Sequence, residues 1–376
     1  MRRHSITPRL SWQKKVERAG LTYHSANGAA YWDESVYWEF TPQEIDHIEQ
    51  ATAELQKMCL SAAGFVLEGN RPGDLRVPPA AAALIRQTWL AGPPSLYGRM
   101  DLAFNRKDLK LLEYNAETPT SLVEAAVARW CWLEDRFPDA DQFNFIHEAL
   151  IARWGELAGY LREPVYFACE PFEEDWMTIS YLPDTAQQAG FSTSAIAVQG
   201  TGWHQGRQQF VDEMDRPMGS IFKLYPWESL ITDRFGARVV ESANSVRWIE
   251  PAWKMLWSNK ALPAILWEMY PGHELRLPAY PDGPRHLSAW VRKPLLGREG
   301  ANVTVNLGGK VAEETDGRYR DDTFVFQEYF DLAAEEGKRV VLGSWLVDGE
   351  PCGMGIREPD SYVTSNTSRF VPHLFR

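Results

Sequence analysis

Four polar side chains near residue 100 have a spacing that suits metal chemistry. The segment 97–104 alternates in polarity, which predicts a half-buried strand with Arg99 and Asp101 on one face. After a polar turn, a second predicted strand carries Glu113 and Asn115 on one face. A turn of three residues places Asp101 opposite Glu113, and the same register places Arg99 beside them. A turn of two residues would instead separate the two carboxylates onto opposite faces.

This pair of carboxylates favours a bound cation. Two carboxylates opposite each other on a sheet repel, and a divalent ion with oxygen ligands makes the arrangement favourable. Asn115 would add a neutral oxygen to those of Asp101 and Glu113. Mg²⁺ suits such a partial shell because it keeps waters and takes further ligands from phosphates. The alternative is an ordinary surface hairpin whose charges face solvent.

A lysine and a glycine-containing loop form a second candidate site. The segment 287–293 alternates so that Lys293 lies on an apolar strand face, where a lysine requires an anionic partner. The loop that follows contains Gly297, Arg298 and Gly300. Glycines allow a close backbone approach, and arginine can bind phosphate or carboxylate oxygens through two N–H groups. The pattern suits a loop that covers phosphates, and a plain hairpin turn is the alternative.

Two further segments could contact a nucleotide. Lys260 follows Ser258 and Asn259, either of which could cap a helix whose positive end favours anions. A solvated helix lysine is the alternative. The segment 324–329 predicts an apolar strand that runs into a polar connection, where backbone groups could bind an adenine edge. An unremarkable edge strand is the other interpretation.

The last predicted hairpin carries an arginine. Its strands, 339–347 and 351–357, flank Asp348-Gly349, a strong hairpin signal. With those two residues as the loop, Arg357 lies opposite Val340 and on the face of two glycines, Gly353 and Gly355. An arginine beside two absent side chains has room for a ligand, and a surface ion pair is the alternative.

Periodicity predicts the elements that position these residues. Helical spacing over 41–66 follows a capping sequence, and a second helix is predicted over 120–135. Short apolar runs at 164–169, 194–198 and 218–224 predict strands between polar stretches. This mixture predicts an α/β or α+β fold. No glycine- or serine-rich linker is present, so any lobes are interleaved.

Composition narrows the class of protein. The chain has 376 residues, and its net charge of −12 makes nucleic acid an unfavourable partner. No apolar run reaches the length of a membrane span, and the charged start does not resemble a signal peptide, so a cytoplasmic location is expected. The four cysteines lie far apart and form no metal-binding motif.

In their order along the chain, these motifs resemble the glutathionylspermidine synthase family. The motifs are Arg99-Met-Asp101, Glu113-Tyr-Asn115-Ala-Glu-Thr-Pro-Thr, Trp257-Ser-Asn-Lys260, Lys293-Pro-Leu-Leu-Gly-Arg298 and Arg357. The resemblance runs from about residue 10 to the end and is greatest to short stand-alone homologues. It implies an ATP-grasp fold with a pre-ATP-grasp lobe and with nucleotide bound between lobes. It also implies a metal- and substrate-side lobe over about 90–250 and a nucleotide-binding lobe over about 251–376.

The resemblance further implies roles for individual residues. Arg99 would neutralise the transferring phosphoryl group. The implied Mg²⁺ ligands are Asp101, Glu113 and Asn115. The implied ATP-binding residues are Lys260, Lys293, Gly297, Gly300, Gln327, Glu328 and Tyr329. The implied substrate-binding residues are Thr118, Thr120, Ser121, Glu174, Arg298 and Arg357.

The chemistry implied is the ATP-dependent joining of a carboxylate to an amine through an acyl phosphate. The substrates would be small molecules, a glutathione-like peptide and a polyamine-like amine. The amine needs acidic surroundings, for which the candidates are Glu173, Glu174, Asp175 and Glu228. The chain is too short for the amidase domain of the bifunctional members, and Ser121 stands where the family has a cysteine.

Two other functional classes compete with a ligase. An ATP-binding protein without ligase turnover, acting in regulation, would keep the same nucleotide residues. An ATP-independent hydrolase would need an activated nucleophile, and the sequence has no GxSxG, HExxH or Cys/His signature. The ligase is therefore the preferred hypothesis.

Overall fold

The computed structural model of the chain describes residues 1–26, 28–242, 245–319, 323–332, 334–335, 337–365 and 368–376. It is a mixed α/β structure, as the sequence predicts. In the described residues the α-helices are α1 (Trp12–Arg18), α2 (Pro42–Glu68), α3 (Pro79–Ala91), α4 (Arg129–Arg136), α5 (Ile146–Glu156), α6 (Glu173–Gln188), α7 (Trp227–Thr232), α8 (Gly236–Glu241) and α9 (Leu262–Met269).

The strands of the described residues, in chain order, are β1 (Arg2–Ser5), β2 (Ser25–Ala26), β3 (Ala29–Ala30), β4 (Val36–Phe40), β5 (Tyr97–Phe104), β6 (Leu109–Asn115), β7 (Val165–Cys169), β8 (Thr193–Ala197), β9 (Gly202–His204), β10 (Gln209–Val211), β11 (Ser220–Leu224), β12 (Arg247–Ile249), β13 (Ala279–Tyr280), β14 (Ala289–Pro294), β15 (Thr304–Leu307), β16 (Lys310–Glu314), β17 (Phe324–Glu328), β18 (Ala334–Glu335), β19 (Lys338–Arg339), β20 (Val341–Val347), β21 (Glu350–Glu358), β22 (Arg369–Phe370) and β23 (His373–Phe375). They form several sheets, three of which surround the candidate site.

The carboxylate hairpin belongs to a sheet built from distant parts of the chain. Its strand order is β22–β21–β20–β5–β6, so the hairpin β5–β6 pairs with the late hairpin β20–β21. The predicted boundary near residue 250 therefore separates strands that share one sheet. The helix α2 packs its apolar side against this sheet and begins at a capping box between Thr41 and Glu44, as predicted.

Two other sheets complete the surroundings of the site. Strands β12–β11–β7–β8 form a parallel sheet, which confirms the three strands predicted between residues 164 and 224. Strands β13–β17–β14–β15–β16 form an antiparallel sheet in which β17 lies between β13 and β14. Since β17 is hydrogen-bonded on both sides, the alternative of an edge strand at 324–329 is wrong.

The helix predicted over 120–135 begins with a π-helical turn. Residues Val123–Ala128 are π-helical and continue into α4. A π turn holds more residues than an α turn, so it rotates the buried face. The helical spacing of Leu122, Ala126 and Trp130 favours Trp130 on the apolar face, but its side chain is 39% exposed, while the neighbouring Arg129 is fully buried.

Both predicted hairpin registers contain a bulge. In β5–β6, Asp101 pairs with Glu113 as predicted, but the turn has four residues, 105–108, and the bulge beside Leu102 restores the register. In β20–β21, the predicted two-residue loop is present. A bulge after Trp345 then places Arg357 opposite Val341 instead of Val340.

Within the residues that the structure describes, no helix is long and apolar enough to cross a membrane.

Candidate functional site

One cavity of about 600 Å³ contains nearly all of the predicted site residues. It lies where β5–β6, the β14 region, the loop after β6 and the start of α6 meet. The predicted residues that line it are Arg99, Asp101, Glu113, Asn115, Thr118, Thr120, Glu174, Lys260, Lys293, Gly297, Arg298, Gly300, Gln327, Glu328, Tyr329 and Arg357. Residues far apart in sequence are thus brought together by the fold.

The carboxylates of the β5–β6 hairpin form the centre of the cavity. Asn115 Nδ2 donates to Asp101 Oδ2 at 3.3 Å and to Glu113 Oε1 at 3.2 Å. Arg99 donates to both oxygens of Asp101, at 2.7 and 3.1 Å. Lys260 Nζ donates to Glu113 Oε2 at 2.6 Å. The repulsion expected between the two carboxylates is therefore offset by one cation on each side.

The charge state of Glu113 follows from its neighbours. Burial by itself raises the pKa of this carboxyl group, but Lys260, Lys293 and the hydrogen bonds from Lys260 and Asn115 outweigh it and lower the pKa to about 2. Glu113 is therefore ionised throughout the physiological pH range. An ionised carboxylate is the form that binds a hard cation.

The donor set fits Mg²⁺ bound together with a polyphosphate. Asp101 and Glu113 supply carboxylate oxygens, and the amide of Asn115, within hydrogen-bond distance of both, can rotate to present its oxygen. Among the described residues no group of three or more His, Cys, Asp and Glu side chains could hold a metal. The set is thus a partial shell, and phosphate oxygens and water would supply the other ligands.

Lys293 is held against the hairpin from the neighbouring sheet. Its Nζ donates to Gln327 Oε1 at 2.9 Å and to the carbonyl of Leu112 at 3.3 Å. Gln327 Nε2 in turn donates to the carbonyl of Leu111 at 3.1 Å. Burial lowers the pKa of Lys293 to about 8, although Glu113 favours its charged form. The hydrogen-bond partners of Lys293 are thus neutral, and the negative charge that favours its charged form comes from Glu113 and Asp101 nearby.

Backbone hydrogen bonds limit which groups of Gln327 to Tyr329 could contact an adenine. The N–H of Glu328 donates to the carbonyl of Pro278 at 2.8 Å, and that of Tyr329 donates to Ala289 at 3.1 Å. Neither group is available as a donor to a nucleotide in this conformation. What the segment offers the cavity is its carbonyl groups and side chains.

The glycine loop approaches the backbone of a later segment. Gly300 has φ +70°, and a Cβ atom there would lie 2.5 Å from the carbonyl oxygen of Thr364. A side chain at this position would be strained and would clash. Close packing of the loop against residues 363–364 thus explains the requirement for this glycine, one of the two that line the cavity.

The capping role predicted before Lys260 is wrong. The N-cap of α9 is Ala261, and its N–H donates to Asn259 Oδ1 at 2.8 Å. Ser258 Oγ instead accepts from the N–H of Ala116 at 3.2 Å. Lys260 therefore reaches Glu113 from the connection before α9, which Ser258 fastens to the end of the carboxylate hairpin.

Arg298 links two walls of the cavity at the end lined by Thr118 and Glu228. Its Nη1 donates to Thr118 Oγ1 at 3.3 Å, and its Nη2 donates to Glu228 Oε1. Burial opposes the charge, yet Glu228 and Glu117 raise the pKa of this guanidinium above its ordinary value. Arg298 is a fixed positive charge between the loop after β6 and the helix α7.

A cluster of carboxylates lies at the same end. Glu174 accepts a hydrogen bond from Thr120 Oγ1 at 2.6 Å, and Asp175 lines the cavity beside it. Burial, followed by repulsion from Glu174, Glu170 and Glu299, raises the pKa of Asp175 to about 7. Such a cluster attracts a cation, and Asp175, with its raised pKa, can exchange a proton near neutral pH.

Two predicted substrate residues differ from expectation. Ser121 is buried and does not line the cavity. Arg357 lines it, but the space beside the two glycines is filled, since Ile146 lies against Gly353 and Arg129 against Gly355. The glycines of β21 make room for protein side chains, and Arg357 itself donates to the carbonyl of Ser365 at 2.6 Å.

The cavity also contains residues that the sequence did not single out. Among them are Glu170, Phe172, Glu299, Arg318, Tyr319, Arg339 and Tyr362. No local motif marks them, because each reaches the cavity from a loop or strand end whose position depends on the whole fold.

Comparison with known proteins places this geometry in context. A family model described as glutathionylspermidine synthase preATP-grasp matches residues 3–376. A protein of Haemophilus influenzae named as a candidate acid–amine ligase is 42% identical over 96% of this chain and 96% of its own. The bifunctional glutathionylspermidine synthetase/amidase of Escherichia coli is 26% identical over 96% of this chain. This chain spans 63% of the length of that bifunctional relative.

A solved structure shares the fold. The apo form of a glutathione synthetase-like effector from Globodera pallida superimposes with a TM-score of 0.56, covering 97% of each chain at 10% identity. At this identity the likeness concerns the fold alone. Together with the family match it confirms the predicted ATP-grasp-like α/β class.

Proposed function

The chain belongs to the glutathionylspermidine synthase family and is a ligase, and we propose that it joins the carboxylate of a glutathione-like peptide to a polyamine-like amine, with Mg²⁺ and ATP. The observation that carries this proposal is the single cavity described above. It combines cations for phosphates, oxygen ligands for a metal, an arginine for a carboxylate and an acidic cluster for an amine. Each part suits one component of a three-substrate reaction.

The nucleotide is proposed to bind at the Lys293 end. Lys260 and Lys293 both lie beside Glu113 and are positioned for polyphosphate oxygens. Apolar side chains for a base line the same end, among them Leu112, Val291, Leu332 and Val341. Gly297 and Gly300 would bring loop backbone over the phosphates, and carbonyl groups of Glu328 and Tyr329 would accept from the adenine edge.

The residues of the hairpin are proposed to act on the transferring phosphoryl group. Asp101, Glu113 and Asn115 would hold Mg²⁺, which when bound neutralises charge on the phosphate oxygens. Arg99 lies next to Asp101 and also donates to the carbonyl of Thr120 at 2.9 Å, so it spans the metal and substrate sides. That position allows its guanidinium to stabilise charge between the two substrates.

The reaction proceeds in two steps in this proposal. A substrate carboxylate oxygen attacks the γ-phosphorus of ATP, the bond to ADP breaks, and an acyl phosphate forms. The neutral amine then attacks the acyl carbon, the carbon–oxygen bond to phosphate breaks, and an amide and inorganic phosphate result. Fixing the two substrates in line supplies much of the rate enhancement.

The substrate end accounts for both partners. Arg298, beside Thr118, and Arg357 would bind peptide carboxylates, while Glu174 and Asp175 would attract the ammonium ion. The ammonium must lose one proton before attack, and Asp175 is the carboxyl group whose pKa of about 7 suits it to accept that proton. Small-molecule substrates and a cytoplasmic location follow from this proposal, since ATP is one of them.

An assay of ADP release tests the proposal. Purified protein is mixed with ATP, Mg²⁺, glutathione and each member of a polyamine panel, and ADP is followed with a coupled enzyme assay. We expect ADP formation that requires both glutathione and an amine, with mass spectrometry showing one amide per ADP. Asp101→Asn should abolish most turnover. Asp135→Asn, which removes a carboxylate paired with Arg9 outside the cavity, is the matched control.

Nucleotide binding without amine-dependent ADP formation across the panel would contradict the ligase proposal. It would instead support an ATP-binding protein with a regulatory role, because the same lysines and carboxylates serve both.

A further inference from the structure

A buried ion pair lies directly behind the substrate end of the cavity. Glu117 follows the hairpin and is completely buried, and Lys223 on β11 is 1% exposed. Lys223 Nζ donates to Glu117 Oε2 at 3.1 Å and lies 4.7 Å from the ring centroid of Trp227. The same carboxylate oxygen accepts from the N–H of Trp227 at 3.0 Å. One carboxylate thus fastens the loop after β6 to the start of α7.

The positions of its neighbours connect this pair to Arg298. Thr118 follows Glu117 in sequence, and Glu228 follows Trp227. Those two neighbours are the residues to which Arg298 donates. The Glu117 bond behind the wall and the Arg298 bonds in front of it therefore bridge the same two segments. A change in their separation would alter the direction of the guanidinium.

A second ion pair in the chain shows that Glu117 is not arranged for stability alone. Glu250 and Lys254 are equally buried and 2.7 Å apart. Both oxygens of Glu250 are fully used, by Ser95, Lys254 and the N–H groups of Leu96 and Tyr97. In the described part of the chain, by contrast, Glu117 Oε1 has no hydrogen-bond partner.

An incompletely satisfied buried carboxylate costs stability. A buried ion pair is also weak evidence for stabilisation, because apolar residues of the same size often serve equally well. The fold nevertheless keeps this charge pair at one place, where its two attachments border the cavity. A positioning role accounts for the location of the ion pair and for the retention of Glu117 even though one of its oxygens has no hydrogen-bond partner among the described residues.

We propose that Glu117 is a positioning residue that orients Arg298 toward the carboxylate of the peptide substrate by fixing the distance between Thr118 and Glu228. The inference rests on the proposed function. Lys223 holds the carboxylate in place through its hydrogen bond, and the bond from Trp227 N–H transmits its position to α7.

Two double variants isolate the bond from the charge. Glu117→Gln/Lys223→Met and Glu117→Met/Lys223→Met are both neutral at the buried pair and similar in size. Only glutamine can accept from Trp227 N–H. With ATP at saturation, we expect the KM for glutathione to be about tenfold higher in the methionine variant than in the glutamine variant. A factor of this size corresponds to the loss of the one hydrogen bond that holds Arg298 in its orientation. The KM for ATP should differ less than twofold.

The matched control is Glu250→Gln/Lys254→Met, which alters an equally buried pair outside the cavity. It should change the melting temperature without changing the KM for glutathione. Equal KM values for glutathione in the two Glu117 variants would overturn the proposal and leave Glu117 as a structural residue.

A measurement without substrate separates this inference from the ligase proposal. Phenylglyoxal modifies accessible arginines, and the side chain of Arg298 is 22% exposed. Release of Arg298 from Thr118 and Glu228 should speed its labelling, followed by mass spectrometry, at least threefold in the methionine variant relative to the glutamine variant. Equal labelling rates would refute the positioning role even if the wild-type protein is an active ligase. Faster labelling in a protein that never makes an amide would support the positioning and contradict the ligase function.

Discussion

Replacement of Lys293 by arginine should abolish the proton uptake that accompanies nucleotide binding. Lys293 faces Glu113 on β6, Asp101 on β5 and Lys260 before α9. Burial lowers the pKa of its ammonium group to about 8, and Lys260 adds to this shift. A bound polyphosphate brings negative charge next to Nζ, so it should return the pKa toward that of an ordinary lysine.

The magnitude follows from these two pKa values. With a pKa of about 8 before binding and about 10 after it, binding takes up about 0.1 proton at pH 7, about 0.5 at pH 8 and about 0.8 at pH 9. Because the bound state holds more protons, affinity falls as the pH rises, by about ninefold between pH 7 and pH 9. Arginine stays charged in this range, so Lys293→Arg should lose this pH dependence.

Isothermal titration calorimetry measures the effect. A non-hydrolysable ATP analogue with Mg²⁺ is titrated into wild-type protein and Lys293→Arg at the three pH values, each in two buffers with different ionisation enthalpies. The difference in heat between buffers gives the number of protons taken up. Equal uptake by the two proteins would refute the placement of Lys293 at the phosphates, whatever the affinity.

Three other perturbations test separate parts of the structure. Asp101→Asn should raise the Mg²⁺ concentration required for half-maximal turnover by at least about tenfold, measured by Mg²⁺ titration of ADP release, and an unchanged requirement would exclude the hairpin as the metal site. The KM for the amine should fall as the pH rises through about 7, because Asp175 becomes ionised, and Asp175→Asn should raise that KM and remove the inflection. Thr41→Ala removes the capping box with Glu44 and should lower the free energy of unfolding by about 1 kcal/mol in urea titrations. The KM values for glutathione and for the amine should not change.

Local pattern was sufficient for the centre of the candidate site. Alternation combined with a three-residue turn placed Asp101 and Glu113 on one face and opposite each other, as they are in the structure. The agreement results from two deviations that cancel. The turn is one residue longer than expected, and the bulge leaves one residue of β6, Leu112, without a partner on β5. In β20–β21 the turn was correct and the bulge was uncompensated, so Arg357 moved by one position. Bulges leave little trace in a single sequence, and register errors of one residue follow.

The sequence around Lys223 carries the same signal as the sequence around Lys293. A lysine within an apolar strand predicted a partner for Lys293, and Ile221-Phe222-Lys223-Leu224 shows the same pattern. The partner, Glu117, is 106 residues away, and no local rule supplies that distance. The same limit applies to Arg298 and Glu228, whose pairing depends on how α7 packs against the loop after β6.

A pair of stacked rings behind the hairpin connects two parts of the candidate site. Tyr114, between the proposed metal ligands Glu113 and Asn115, stacks on Trp257 with ring centroids 5.2 Å apart. Trp257 is followed by the connection that carries Lys260 to Glu113. Side chains alternate along a strand, so Glu113 and Asn115 point toward the cavity while Tyr114, between them, points to the opposite face and makes this aromatic contact. The proposed metal ligands and a proposed phosphate lysine therefore rest on one packed aromatic pair. A loss of that pair should disturb both together, whereas a change at Glu117 should disturb only the substrate end.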